Sequence, residues 1–197
     1  MKNQFDVLID SYLENKIGID SRFLDAALSE GLQQNILQLQ KDKLMKVAGI
    51  GNELIMDAEQ KMRTDKIHWL EEKTDNRFEQ EFLSKMHDFI GYLNRTCYTG
   101  INACEFHYAV YEEGSFYKRH IDQFKNDDNR KFSMINYLND NWIEEDGGQL
   151  LVYKDAVVQK ILPHSQTTVF FKSNEMEHEV TKANRPRMSV TGWLKRI

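Results

Sequence analysis

From Cys104 onward the chain breaks into short apolar runs: "CEFHYAVY", "KFSMINYL", "QLLVY", "TTVFF", "HEVTK" and "RMSVTGWL". Between them stand Glu113-Gly114, Asp146-Gly147-Gly148 and Pro163, residues that turn or interrupt a backbone. Many short strands in a row predict a sandwich or a closed jelly roll. The residues ahead of them read differently. Phe5, Leu8, Ile9, Tyr12 and Leu13 recur at helical spacing, and the first 46 residues read as helical. A second helix is expected after Asp20 or Ser21, with Phe23, Leu24, Ala27 and Leu28 on its apolar face. "AGIGNE" at 48–53 reads as a loop, and a third helix fits residues 77–95 through Phe78, Phe82, Phe89 and Leu93. The fold class is therefore mainly β with flanking α, a β core supported by N-terminal and middle helices. At 197 residues, with no convincing linker, one domain over 1–197 is expected, divided into leading helices and loop (1–61) and a core (62–197).

The formal net charge of −5 argues against a nucleic-acid partner, because phosphate binding needs a basic surface. No apolar run approaches the ~20 residues that span a bilayer, and the acids in "MKNQFDVLIDSYLE" do not suit a signal peptide. A soluble, cytoplasmic protein without a membrane partner is the expectation. Two cysteines, Cys97 and Cys104, lack the spacing of a structural zinc site and are expected to be buried, reduced thiols.

"YKRHID" at 117–122 places His120 and Asp122 two positions apart, on one face if the stretch is a strand. Downstream, "EMEHEV" supplies His178 and "RPRMSVTGW" supplies Arg187. On that last strand Arg187, Ser189, Thr191 and Trp193 share one face, and Met188, Val190, Gly192 and Leu194 share the other. If the second set packs against helices, an arginine with two hydroxyls and an indole faces the interior. A buried guanidinium requires an anion, so that face calls for a carboxylate. Ser133, Ile135 and Tyr137 alternate in the same way and bring a further hydroxyl and a phenol.

Two histidines and a carboxylate on one face of an octahedral ion leave three positions open, the donor set of non-heme Fe(II) oxygenases. Zinc hydrolysis can use the same donors. The arginine and hydroxyl strand favours iron, because an oxygenase must hold an organic acid against its metal. His107 lies on the strand face of Tyr111 and could point toward such a site. His68, His87 and His164 have no carboxylate at metal-binding spacing in the sequence and are not expected to be ligands.

With these residues in view, "YAVYEEGSFYKRHID", "RKFSMINYLN", "EEDGGQLLVY", "HEV" and "RMSVTGW" resemble the 2-oxoglutarate and Fe(II)-dependent oxygenases. The branch is that of the hypoxia-inducible-factor prolyl hydroxylases and their bacterial relatives. "MRTDKIHWL" at 62–70 resembles a further stretch of that branch, so the likeness covers about residues 62–195. The resemblance implies a double-stranded β-helix, a cupin-like jelly roll. It implies His120, Asp122 and His178 as the catalytic iron ligands, and Arg187 paired with the distal carboxylate of 2-oxoglutarate, supported by Tyr137 and Thr191 with Ser133 nearby. Tyr111, Tyr117 and Trp193 would line the cosubstrate and substrate side, and Asp65 and Arg130 would shape a peptide entrance.

It further implies Fe(II), 2-oxoglutarate and O2, with ascorbate as reductant, and hydroxylation with release of succinate and CO2. The implied substrate is a prolyl residue in a protein, elongation factor Tu in bacterial relatives. "LEEKTDN" after Trp69 is shorter than the mobile finger of the animal enzymes, a departure that bears on the substrate. The alternatives are a hydroxylase of a free amino acid or small metabolite, and a non-catalytic sensor that binds a metal and 2-oxoglutarate.

Overall fold

The computed structural model describes residues 3–49, 62–123, 128–154 and 157–197. Helices α1 (Asp6–Asn15), α2 (Ala26–Lys41) and α3 (Arg77–Cys97) flank eleven strands. The strands are β1 (Ile17–Asp20), β2 (Lys46–Val47), β3 (Lys66–Trp69), β4 (Ala103–Tyr111), β5 (Tyr117–His120) and β6 (Arg130–Tyr137). They continue with β7 (Leu150–Lys154), β8 (Val157–Ile161), β9 (Thr168–Lys172), β10 (Glu177–Val180) and β11 (Arg187–Lys195). Two antiparallel sheets result, one ordered β1-β9-β6-β11-β4-β3-β2 and the other β5-β10-β7-β8. This is the jelly roll expected from the spacing of the runs, in the double-stranded β-helix form that the resemblance implies. Among the described residues no helix is long and apolar enough to cross a membrane.

Period-two alternation sorts the large sheet into two cores. Phe106, Tyr108, Val110, Met134, Phe170, Val190 and Leu194 face the helices and join Leu8, Leu28, Phe82 and Phe89 in one cluster. Their neighbours Ala109, Tyr111, Ile135, Tyr137 and Phe171 face the small sheet and meet Leu150, Val152 and Val180 in the other. Each Val, Leu, Ile, Phe or Met among them contributes about 1.5–3 kcal/mol when fully buried. The second cluster walls the cavity described below.

The helical reading needs corrections at its edges. The first 46 residues are not all helical, because Ile17–Asp20 pairs with β9 along Ile17↔Phe171 to Asp20↔Thr168, and Lys46 begins β2. Helix α2 starts only at Ala26, where the Asp25 carboxylate accepts from Leu28 N at 2.8 Å. Phe23 and Leu24 are buried in the turn before it, whereas Ala27 and Leu13 are exposed. Helix α3 is capped by Asn76, which accepts from the backbone N–H of both Phe78 and Glu79. Ala48 and Gly49 begin the expected loop, and residues 50–53 lie outside the described residues. Cys97 is exposed and Cys104 half-buried, so neither is the fully buried thiol expected.

Candidate active site

Strands β5 and β10 are far apart in sequence, yet their antiparallel pairing sets His178 directly opposite His120. Non-local register brings the two rings to a centroid separation of 4.2 Å. Asp122 is not on the strand: β5 ends at His120 and Asp122 lies in the bend that follows. Its carboxylate still converges on both imidazoles, with Oδ1 3.4 Å from His120 Nε2 and Oδ2 3.6 Å from His178 Nε2.

Both imidazoles are oriented by the backbone. His120 Nδ1 lies 2.7 Å from the Lys118 carbonyl and His178 Nδ1 lies 3.0 Å from that of Met176. A carbonyl only accepts, so Nδ1 carries the proton in each ring and the Nε2 lone pair is left toward Asp122, as a metal ligand requires. The Ser133 hydroxyl donates to Asp122 Oδ2 at 2.6 Å and also contacts Ser173 Oγ at 3.0 Å. Burial alone would raise the Asp122 pKa, but His178, His120 and the Ser133 hydrogen bond outweigh it and hold the carboxyl well below the usual range. Burial lowers the His178 pKa, opposed by the Asp122 carboxylate beside it. Two imidazole nitrogens and a carboxylate oxygen therefore meet with all donor atoms within 4.8 Å of one another, a set able to hold a divalent ion.

The cavity at this triad extends to Arg187, passing Tyr111, Thr191 and Leu150. Arg187 is 1% exposed. Gly148 lies behind it at φ +61°, and a Cβ there would stand 3.0 Å from Arg187 Cδ, so this position combines a left-handed backbone with close packing. The guanidinium carbon lies 4.8 Å from the Tyr111 ring centroid and 4.9 Å from that of Tyr137. Arg187 Nε and the Tyr137 hydroxyl are buried without a hydrogen bond of acceptable geometry. Among the described residues Arg187 has no acidic partner. A buried cation with unpaired donors is costly, so the residues present fit a carboxylate ligand delivered through the cavity.

A second, outer cavity shares Arg63, His107, Tyr117, Asp122 and Trp193 with the first and adds Trp69 and Arg130. Tyr117 stacks on His120 with ring centroids 3.5 Å apart, and Arg63 covers Tyr117 at 4.5 Å. Arg130 lies 3.4 Å from the Trp193 ring centroid and donates to Glu105 at 3.0 Å. His107 stands between Trp69 and Trp193, at centroid distances of 4.8 and 5.5 Å.

Most of the residues singled out from the sequence line one cavity or the other, with three exceptions: Asp65, Ser133 and Tyr137, the last packed against Arg187. Asp65 is fully buried and lines neither, its carboxylate accepting from Arg63 Nε at 2.7 Å and from Nη2 at 2.5 Å. Ser133 serves the metal end of the cavity instead of the Arg187 end, since it lies four residues from Tyr137, about 13 Å along a strand. Arg63 escaped the sequence reading although it lies in "MRTDKIHWL". Its place depends on the long-range bridge Arg63↔Tyr117, which no local pattern reveals.

Residues 106–195 match the family model described as the 2OG-Fe(II) oxygenase superfamily. Over its whole length the chain is similar to a prolyl-4-hydroxylase from Pseudomonas putida, with 29% identity, 98% of this chain and 99% of that one covered, and a TM-score of 0.88. It is also similar to a prolyl hydroxylase from Trichoplax adhaerens solved with a hypoxia-inducible-factor peptide fragment, at 26% identity, coverage of 97% and 88%, and a TM-score of 0.86. A viral collagen prolyl hydroxylase from Paramecium Bursaria Chlorella virus-1 shares the fold at 16% identity, coverage of 93% and 97%, and a TM-score of 0.63. These comparisons support a 2-oxoglutarate-dependent dioxygenase: residues 106–195 match the 2OG-Fe(II) oxygenase superfamily, and the chain as a whole is similar in sequence and fold to prolyl hydroxylases.

Proposed function

We propose that this chain hydroxylates a prolyl residue of a protein substrate, with 2-oxoglutarate as cosubstrate and succinate and CO2 as products. The observation that carries the proposal is Arg187, buried with no acidic partner among the described residues and in the same cavity as the His120, Asp122 and His178 donors. In this reading those three side chains hold ferrous iron. Bound iron supplies the redox chemistry that couples O2 to oxidation of 2-oxoglutarate and of the substrate, with ascorbate as the reductant typical of the family.

The chain's own residues then have separable tasks. Arg187 clamps the distal carboxylate of 2-oxoglutarate with its planar fork, and the Tyr137 and Thr191 hydroxyls add donors beside it. Ser133 keeps Asp122 aimed and ionised. Ile135, Leu150 and Val180 keep water away from the cosubstrate. Tyr117 braces the His120 ring. At the outer cavity Arg63, Arg130, Trp69 and Trp193 present planar faces and donors to an extended peptide.

The prolyl target rests on two of the structural relatives, both prolyl hydroxylases by name. Elongation factor Tu is the protein the sequence resemblance points to. The test is mass spectrometry of purified elongation factor Tu, and of a lysate from a strain lacking this protein, after incubation with the enzyme, Fe(II), 2-oxoglutarate and ascorbate. The expected result is one added oxygen on a prolyl residue. Succinate formation stimulated only by free amino acids or small metabolites would overturn it.

A further inference from the structure

Among the described residues two places gather three metal-ligating side chains with donor atoms within 4.8 Å of one another: the His120, Asp122 and His178 triad, and Glu72, His87 and Cys104. The second trio has no part in the chemistry above. It unites three elements, the turn after β3, the middle of α3 and the start of β4. His87 Nε2 and Glu72 Oε1 are already 3.7 Å apart, so the carboxylate partner that sequence spacing denied to His87 is supplied by the fold.

We propose that Glu72, His87 and Cys104 form a second metal site that binds Zn2+ through one carboxylate oxygen, one imidazole nitrogen and one sulfur. Thiolate with imidazole selects zinc over magnesium or calcium, and three protein donors leave the fourth tetrahedral position to water. Donor atoms around tetrahedral zinc stand roughly 3.3–3.7 Å apart, from Zn–N and Zn–S bonds of about 2.0 and 2.3 Å. With no separation above 4.8 Å, the trio must therefore contract by at most about an ångström. Glu72 and His87 can supply that movement, because their side chains are 66% and 54% exposed. Cys104 is packed against the helix-side core and stays as the fixed donor.

The location gives the site a consequence. Trp69 lies three residues before Glu72 and His107 three residues after Cys104, and these two pair across β3 and β4 at the outer cavity. Zinc would fasten the turn that follows Trp69 to both β4 and α3, bracing one wall of that cavity.

The site is tested by cobalt and zinc titration of the full chain. Cobalt at this site gives a thiolate charge-transfer band in the near ultraviolet, which the triad cannot give because it contains no sulfur. The band should appear in the wild type and in an Asp122→Ala variant, persist in Cys97→Ser, and vanish in Cys104→Ser. In the Asp122→Ala background, competition with a chromophoric chelator should show zinc affinity falling at least tenfold with either His87→Ala or Cys104→Ser. Absence of the band from the wild type, its loss with Cys97→Ser, or unchanged zinc affinity in both double variants would overturn the proposal.

Discussion

The Ser133 hydroxyl reaches from the middle of β6 to Asp122 Oδ2 across 2.6 Å, tying a carboxylate that has left its own strand to the rigid sheet. A side chain in the bend after β5 would otherwise have rotamer freedom to lose when it takes up a metal. Ser133→Ala should therefore leave the fold intact and weaken Fe(II) binding by roughly 10–100-fold, the usual cost of removing a group that orients a ligand. Anaerobic metal titration checks this, and Ser133→Thr, which restores the hydroxyl, should recover part of the affinity.

Arg187 sets function against stability. Its guanidinium is buried with no acidic partner among the described residues, so replacing it with an apolar chain of similar length removes a desolvation cost. Arg187→Met should be as stable as the wild type without ligand, or more stable by about 1–3 kcal/mol in urea unfolding. It should also lose the roughly 2.7 kcal/mol that 2-oxoglutarate at a hundred times its Kd gives the wild type. Arg187→Lys keeps the charge but not the fork, and should bind 2-oxoglutarate at least tenfold more weakly.

Arg63 and Asp65 form a buried pair in which the hydrogen bond to Asp65 holds the guanidinium fully protonated despite burial. Arg63→Ala leaves a fully buried carboxylate alone and should cost about 3–5 kcal/mol. The double change Arg63→Ala with Asp65→Ala should recover most of that loss. Denaturant midpoints of the wild type, Arg63→Ala, Asp65→Ala and the double variant measure the coupling directly.

His107 titrates out of its ordinary range. Burial, then the nearby Arg63 charge, lowers its pKa from 6.5 to about 3. Between those values the unfolded chain binds the proton and the folded chain does not, so stability rises with pH. The contribution is complete above about pH 6.5 and is lost as pH falls toward about 3. His107→Phe should flatten the acid limb of stability against pH by up to about 1.4 kcal/mol per pH unit within that window. Equilibrium unfolding in urea at a series of pH values reads this difference.

What the sequence disclosed follows from the range of the physics involved. The faces of β6 and β11 were legible because alternation is local: Arg187, Thr191 and Trp193 line the cavity, while Val190 and Leu194 pack on the helices. Helix α3 was legible through its broad apolar face and Asn76 cap. Strands β1, β2, β3 and β8 were missed because they are two to five residues long and are fixed by their partners. Arg63 and the grouping of Glu72, His87 and Cys104 were hidden for the same reason, since each depends on which strand or helix lies alongside. Asp122 was placed on a strand it does not occupy, yet its carboxylate reaches the imidazoles because Ser133 and the bend supply the direction that strand pleating was expected to give.

The central claim, that one cavity joins a three-donor metal site to a buried guanidinium that holds a dicarboxylate, is tested most directly by visible spectroscopy. Fe(II) and 2-oxoglutarate are added to the protein without oxygen, and the charge-transfer absorption of keto acid chelated to iron is followed. The account predicts a saturable band in the wild type that is abolished in His178→Ala and shifted to at least tenfold higher 2-oxoglutarate concentration in Arg187→Lys. An equal band in His178→Ala, or unchanged 2-oxoglutarate dependence in Arg187→Lys, would contradict it.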